Sequence, residues 1–331
     1  MVSPIIIRVK DVKKVFKKSI VLDDVNLDIK RGEIFGLIGM SGSGKTTLLN
    51  TIVGFLQPEE GDVMFQSNLV IERESPKNMM SVSSHIIQLR KIFGFAPQLP
   101  SFYNQLTAKE NLDYFASMYG LTKEIKKSNI KHLLDLTGLT SAKETLAMDL
   151  SGGMKKRLGI ACALVHKPDI LILDEPTADL DPILRDQTWQ LIRKINKQGT
   201  TVIIASHFVE EIENLCNRIG VLHNGKVLSV GSPLKLKDIY TTDNEIRLET
   251  TSANYAFLIQ KLKSVKSLKV SKIKQEGRSL VIYAQKGTDT LQWILNTIKR
   301  SKDHLVSAEV NKPSLREVFE SLAMGRHFKK R

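Results

Sequence analysis

Gly39-Met40-Ser41-Gly42-Ser43-Gly44-Lys45-Thr46 fits the pattern G-x-x-x-x-G-K-[ST] at every fixed position. An apolar run, Ile34–Ile38, precedes it, and a helical pattern, Lys45–Gly54, follows. That is the strand–loop–helix setting a phosphate loop needs. The glycines let the backbone wrap closely round phosphates. The loop N–H groups and the start of the following helix then point at negative charge. In this geometry Lys45 reaches the β and γ phosphates, and the Thr46 hydroxyl is a ligand for Mg²⁺. Met40, Ser41, Ser43 and Thr47 are the remaining residues of the expected cradle.

A second motif lies downstream. Ile170-Leu-Ile-Leu-Asp174-Glu175-Pro176 reads as an apolar strand ending in two acids. Unpaired charge at the tip of a buried strand is costly. On its own, such a pair is as readily explained by a nearby Lys or Arg. Beside a complete phosphate loop it has a chemical use. Asp174 can hold Mg²⁺ through a water. Glu175 can polarise an attacking water as a general base.

Working outward, the first ~235 residues alternate apolar strand-like runs with helical stretches, as α/β domains do. Ile170–Leu173 precedes Asp181–Gln198, and Thr201–Ala205 precedes Val209–Leu215. Near-continuous apolar runs of this kind suit parallel strands covered on both faces. A hairpin is expected from Arg218–Leu222 and Lys226–Ser229 around His223-Asn224-Gly225. A linker is expected over residues 233–244, and the stretch Gln66–Arg90 reads as a polar surface insertion. Residues 245–331 have the order strand, helix, strand, strand, helix, strand, helix, the split βαβ or ferredoxin-like pattern.

The whole chain has 331 residues, of which 42% are hydrophobic and 25% charged. That is globular composition and excludes general disorder. At ~150 residues per domain, two domains are expected. No run approaches the ~18 apolar residues of a membrane span. The opening MVSPIIIRVKDVKK has neither the basic start nor the cleavage site of a signal peptide. Two cysteines, Cys162 and Cys216, cannot build a disulfide framework; they read as small buried hydrophobes in a reducing compartment. The net charge is +14, and Thr241–Arg331 holds 18 Lys and Arg against 9 Asp and Glu. Such a basic segment fits nucleic acid, an anionic membrane surface, an acidic ligand or a solvated face.

Between the two motifs stands Leu150-Ser151-Gly152-Gly153-Met154. Here the chain resembles the ATP-binding subunits of ATP-binding cassette (ABC) transporters, whose signature is LSGG. Further elements of that family follow in order. Phe16 stands where an aromatic stacks on adenine, a position more often held by Tyr. Gln98, in FGFAPQ, matches the Q-loop glutamine that touches Mg²⁺ and water. Asp181, in ADLD, matches the D-loop, and His207, in IASHF, matches the switch histidine at the γ-phosphate.

The resemblance covers about Ile5 to Ser232. It implies a P-loop NTPase cassette over residues 1–232, with a RecA-like core and a helical subdomain near 107–158. A small α+β accessory domain follows over residues 245–331. It implies an ATPase that uses ATP and Mg²⁺. Two chains close head to tail on two ATPs, with Ser151, Gly152 and Gly153 of one meeting the phosphate loop of the other. Glu175, His207, Gln98 and Lys45 are then the catalytic set. The resemblance also implies a separate transmembrane permease and a peripheral, cytoplasmic position on the inner face of the membrane. Phe102 and Tyr103 are candidates for the permease contact, with core packing the competing explanation. Lys312-Pro-Ser-Leu-Arg-Glu-Val-Phe319 resembles the close of ABC-2 type exporter ATPases. The alternative is an ABC ATPase acting on nucleic acid or ribosomes through the basic C-terminal region. Against it, the central strands there offer only Tyr283 for base stacking.

Overall fold

The computed structural model describes residues 4–66, 79–240, 243–285, 289–301, 303–311 and 314–323. The chain divides into two compact units, Met1–Ser232 and Pro233–Arg331.

The first unit contains β1 (Ile5–Phe16), β2 (Ser19–Lys30), β3 (Ile34–Ile38), α1 (Lys45–Ile52), β4 (Glu60–Phe65), β5 (Met80–Ser81), α2 (Ile86–Ile92) and β6 (Phe93–Ala96). Three helices come next: α3 (Ala108–Met118), α4 (Lys123–Leu136) and α5 (Gly152–Leu164). Then come β7 (Ile170–Asp174), α6 (Pro182–Lys197), β8 (Thr201–Ser206), α7 (Val209–Leu215), β9 (Arg218–His223) and β10 (Lys226–Gly231).

Six of these strands form one sheet in the order β10-β9-β3-β8-β7-β6. From β9 to β6 the pairing is parallel. Every residue of β3, β7 and β8 is buried, as strands covered on both faces require. The hairpin β9–β10 turns at Asn224 and Gly225, both at positive φ. Gly225 is the residue type that a two-residue turn of this hand demands.

A second, antiparallel sheet has the order β2-β1-β4-β5. Its apolar face, with Ile6, Val25, Ile29 and Phe65, packs with Phe35 of β3 and Leu48, Leu49 and Ile52 of α1 in one core. The long hairpin β1–β2 is absent from the sequence reading, because its alternation is broken by several register shifts. The polar insertion expected at Gln66–Arg90 needs correcting. Residues 67–78 lie outside the described residues. The remainder joins the fold: β5 pairs with β4, and Val82, Leu89 and Ile92 are buried in the core.

The second unit contains α8 (Pro233–Tyr240), β11 (Asp243–Thr250), α9 (Ala256–Ser264), β12 (Val270–Glu276), β13 (Ser279–Gln285), α10 (Thr290–Arg300), β14 (Leu305–Asn311) and α11 (Leu315–Ala323). Its sheet runs β12-β13-β11-β14, antiparallel throughout. Counted from β11, that is order 2-3-1-4, the arrangement of a split βαβ pair. Leu258 and Leu262 of α9 and Ile294 and Ile298 of α10 pack on Ile246, Leu248, Leu280 and Ile282. The expected linker at 233–244 is another correction. Residues 233–240 are helical, with Leu236 fully buried, and Asp243 already belongs to β11. Proline at the first helical position misleads when it is read only as a breaker.

Close backbone approach limits one position severely. A Cβ at Gly94 would collide with the Ala163 carbonyl oxygen of α5. Gly94→Ala should therefore cost about 1–3 kcal/mol, as overpacking does. The chain has two tryptophans, Trp189 in the first unit and Trp293 in the second. In a Trp293→Phe background, Trp189 fluorescence during urea unfolding should show a lower midpoint for Gly94→Ala. An unchanged midpoint would contradict the packing.

Candidate nucleotide site

The parallel register brings distant residues to one edge. Leu37 of β3 lies beside Ala205 of β8, and Asp174 of β7 lies on the other side of the same Ala205. The Glu175 N–H continues the ladder, donating to the Ala205 carbonyl at 2.9 Å. The loop after β3, the acids after β7 and the histidine after β8 therefore meet at the carboxyl ends of the strands. That edge is where open α/β sheets place ligands.

The loop Gly39–Gly44 is held by its own backbone. Gly42 and Gly44 take φ of 79 and 105, which side chains rarely adopt. A Cβ at Gly39 would run into Ser43 Oγ and the Leu222 carbonyl. The Gly225 N–H donates to the Ser43 carbonyl at 3.1 Å, so the β9–β10 turn braces the loop from outside. Ser43 Oγ is buried and, among the described residues, has no hydrogen-bond partner.

Lys45 starts α1 and is buried, with its ammonium donating to the Gly39 carbonyl at 2.9 Å and lying 3.7 Å from Glu175 Oε1. Thr46 Oγ1 donates to Asp174 Oδ2 at 2.7 Å. The other oxygen, Asp174 Oδ1, is buried without a partner. Glu175, at φ 50, places Oε2 2.9 Å from His207 Nδ1, where it accepts from the ring N–H. Lys45, Glu175 and His207 thus form one chain of contacts.

Burial governs the charges here. It lowers the Lys45 ammonium pKa, against the pull of Glu175 and Asp174. It raises the Asp174 carboxyl, against the Thr46 hydrogen bond. Both charged forms are short of compensation. A phosphate beside Lys45 and a hard cation beside Asp174 would supply it. Thr46 and the free Asp174 oxygen are suitable oxygen donors for Mg²⁺, which is usually held by one or two carboxylates together with substrate phosphates.

Other expected residues lie at stated places. Gln98 follows β6 and, with Asp174 and Lys156, lines one small cavity. Phe16 ends β1 and is 43% exposed, with the Lys14 ammonium over its ring, 5.4 Å from the centroid. Met40 and Ser41 are exposed, and Thr47 is half-buried. Ser151 caps α5, accepting from the Met154 N–H at 3.3 Å. An added Cβ at Gly152 would meet nothing within 4 Å, whereas one at Gly153 would press on Leu184. Among the described residues, no hydrogen bond joins Ser151–Gly153 to Gly39–Thr46. Asp181 is engaged in capping α6, accepting from the Ile183 and Leu184 N–H groups. Phe102 is buried and Tyr103 half-exposed, its hydroxyl bonded to that of Tyr114. Cys162 and Cys216 are buried, with thiol pKa values raised by desolvation.

Lys156 is the residue that sequence reasoning missed. Its ammonium donates to the Gln98 carbonyl at 2.9 Å. Burial lowers its pKa, while Asp179, Glu175 and Asp174 oppose that shift. It therefore feels the same acid pair as Lys45. The signal was its place in α5, five residues after the capping Ser151. A second bracket also escaped notice. Glu211 of α7 accepts from Thr177 and from Arg185, and the Arg185 guanidinium lies 4.5 Å from the Phe208 ring beside His207.

Known proteins support the same assignment. Residues 22–178 match the ABC transporter family. The linearmycin resistance ATP-binding protein LnrL of Bacillus subtilis is 32% identical over 316 residues, covering 96% of this chain and 97% of that protein. The Nod factor export ATP-binding protein I of Cupriavidus metallidurans is 30% identical, covering 85% of this chain and 86% of that protein. Among solved structures, CbiO1 of Clostridium perfringens, part of an ABC transporter complex, aligns with TM-score 0.62 and 29% identity over 70% of this chain and 90% of that one. The dimeric ATP-binding cassette MJ0796 bound to ADP and Pi aligns with TM-score 0.58 and 29% identity over 68% of this chain and 98% of that one. With the phosphate loop, the acid pair and the histidine on one strand edge, these relationships place the chain in the ABC transporter family, as an ATP-binding and ATP-hydrolysing subunit.

Proposed function

We propose that this chain powers export, through ATP-dependent closure of two ATP-binding subunits that drives a separate transmembrane permease. The observation that carries the reading is the contact chain Lys45–Glu175–His207 beside Thr46–Asp174, at one strand edge. ATP stacks its adenine on Phe16, and its phosphates lie in the cradle Gly39–Thr47. Thr46 and Asp174, with Gln98 nearby, would hold Mg²⁺, which would supply positive charge beside the phosphates. Lys45 leaves Glu175 for the phosphates, which frees that carboxylate to orient and deprotonate a water. His207 holds the other Glu175 oxygen and steadies its direction. Catalysis here is mostly positioning and charge stabilisation of a loose phosphoryl transition state.

The signature supplies what one chain lacks. Ser151, Gly152 and Gly153 begin α5, and a helix N-terminus is a site for negative charge. In the proposed dimer they face the γ-phosphate held by the second chain, with Asp181 at the seam. No described helix is long and apolar enough to cross a membrane. In this reading the permease is a separate polypeptide, and this chain lies against it at the membrane's inner face. The export direction rests on the names of LnrL and the Nod factor protein. The nucleic-acid alternative gains nothing from Tyr283, whose hydroxyl bonds Glu317 at 2.6 Å with Glu245 alongside.

Glu175→Gln should bind ATP with near-native affinity and hydrolyse it about 10²–10⁴-fold more slowly, the range for loss of a general base. Fluorescent-nucleotide titration and phosphate release measure the two quantities. Unchanged turnover would remove Glu175 from the mechanism. The partner is tested separately by detergent extraction of host membranes carrying tagged Glu175→Gln chain with ATP. A polytopic membrane protein in stoichiometric yield is the expected companion. Ribosomal proteins or nucleic acid in its place would overturn the permease reading.

A further inference from the structure

The sheet of the second unit ends on two edges of unlike character. At one edge, β12 carries Lys272, Lys274 and Glu276. Edge charges of this kind are how sheets resist pairing with other chains. The opposite edge is β14, Leu305-Val306-Ser307-Ala308-Glu309-Val310-Asn311. It has one charged residue and no proline. All seven residues are exposed, with Val306 at 61% and Val310 at 46%. Among the described residues β14 pairs only with β11, so one side of its backbone meets no strand.

Register shows which face is bare. Val310 lies opposite Ile246 and Ala308 opposite Leu248. Ile246 and Leu248 are buried under α9 and α10. Ala308 and Val310 thus share the helix-covered face of the sheet, with Val306 at the register shift beside them, and all three are exposed. An apolar stripe beside an open ladder is a template for another strand.

We propose that β14 pairs antiparallel with β14 of a second copy of this chain, across a two-fold axis normal to the sheet. Such an axis keeps each face on its own side, so residues of the same face must oppose one another. The ladder to β11 shifts register between Glu249 and Thr250, at the start of β14. That leaves Ser307–Asn311 as the regular part, with Val306 at the shift. A pairing centred on Glu309 sets two carboxylates directly opposite, which is unfavourable. One centred on Ser307 draws both Leu305 and Val306 of the shifted segment into the ladder. Centring on Ala308 keeps the carboxylates apart and has only Val306 at its outer end. Val306 then faces Val310 of the second copy, Ser307 faces Glu309, and Ala308 faces Ala308. The Val306–Val310 and Ser307–Glu309 contacts each occur twice and Ala308–Ala308 once, on the axis, and the two four-stranded sheets become one closed pair. Pairing β14 with the other copy's β12 would leave free edges and an open chain. The self-pairing needs no nucleotide and so goes beyond the ATP-driven closure.

Cysteine cross-linking of the full chain tests it, since Cys162 and Cys216 are buried. Ala308→Cys, treated with a short bismaleimide, should form a covalent dimer about tenfold faster than the exposed control Ser267→Cys, because facing residues hold the two thiols at high effective concentration. The rate should be the same with or without ATP, and in a Lys45→Ala chain. Asn311→Cys alone should stay at the control rate, because its counterpart lies six residues, about 20 Å, along the ladder, while a mixture of Ser307→Cys and Glu309→Cys chains should cross-link. Adding Val306→Lys and Val310→Lys to Ala308→Cys sets like charges face to face and should return the rate to control. Ala308→Cys at the control rate, cross-linking only with ATP, or indifference to the two lysines would each overturn the proposal. Loss of the Lys45→Ala signal alone would show that the dimer is the nucleotide-driven one.

Discussion

Two carboxylates and an ammonium are buried together at the carboxyl edge of a parallel sheet, and the rest of the first unit is arranged around that constraint. Asp174 ends and Glu175 follows a strand with no exposed residue, and Lys45 begins the helix after β3, on the far side of β8. Burial penalises each charge, as the lowered Lys45 and raised Asp174 pKa values record. The protein answers with local partners: Thr46 for Asp174, the Gly39 carbonyl for Lys45, and His207 for Glu175. It leaves Asp174 Oδ1 and Ser43 Oγ unanswered. A triphosphate with its cation would supply partners for both.

The surrounding packing keeps that edge in place. Gly36 sits so close to α7 that a Cβ there would strike Ile212 and press on Cys216 Sγ. Gly94 sits equally close to α5, the helix that opens with the signature and carries Lys156. Strands β3 and β6 are therefore spaced for helices that themselves bear site residues or flank them. Lys156 extends the acid cluster towards Gln98. The second unit is built by different rules. Its sheet is antiparallel, its core is small, and its charge is carried largely on exposed lysines.

Much of the site could be read from the chain because its chemistry requires particular residue types in short, fixed spacings. Gly39–Thr46, Asp174–Glu175 and His207 each follow an unbroken apolar run, and a run of buried residues is easy to recognise as a strand. Strands β1 and β2 were not legible. Their apolar residues are interrupted by charged ones and by register shifts, so neither periodicity dominates. Helix α8 was mistaken for a linker because Ser232-Pro233 looks like a break, though proline at N1 starts helices as well as ending them. Lys156 and the Thr177–Glu211–Arg185 bracket were not legible for another reason. Their role depends on tertiary neighbours dozens of residues away, and nothing in their local spacing announces it.

The account's central claim is that one chain holds only half of each ATP site. Cross-linking across the seam tests it most directly. One chain carries Ser41→Cys and Glu175→Gln; the other carries Gly152→Cys and Glu175→Gln. Ser41 is exposed in the phosphate loop, and a side chain at Gly152 has open space around it. Mixed with ATP and a bismaleimide spanning about 10 Å, close to the spacing of packed helices, the two should join as a mixed dimer, and in ADP they should not. Chains that each bind ATP yet never join across these positions would contradict the shared site.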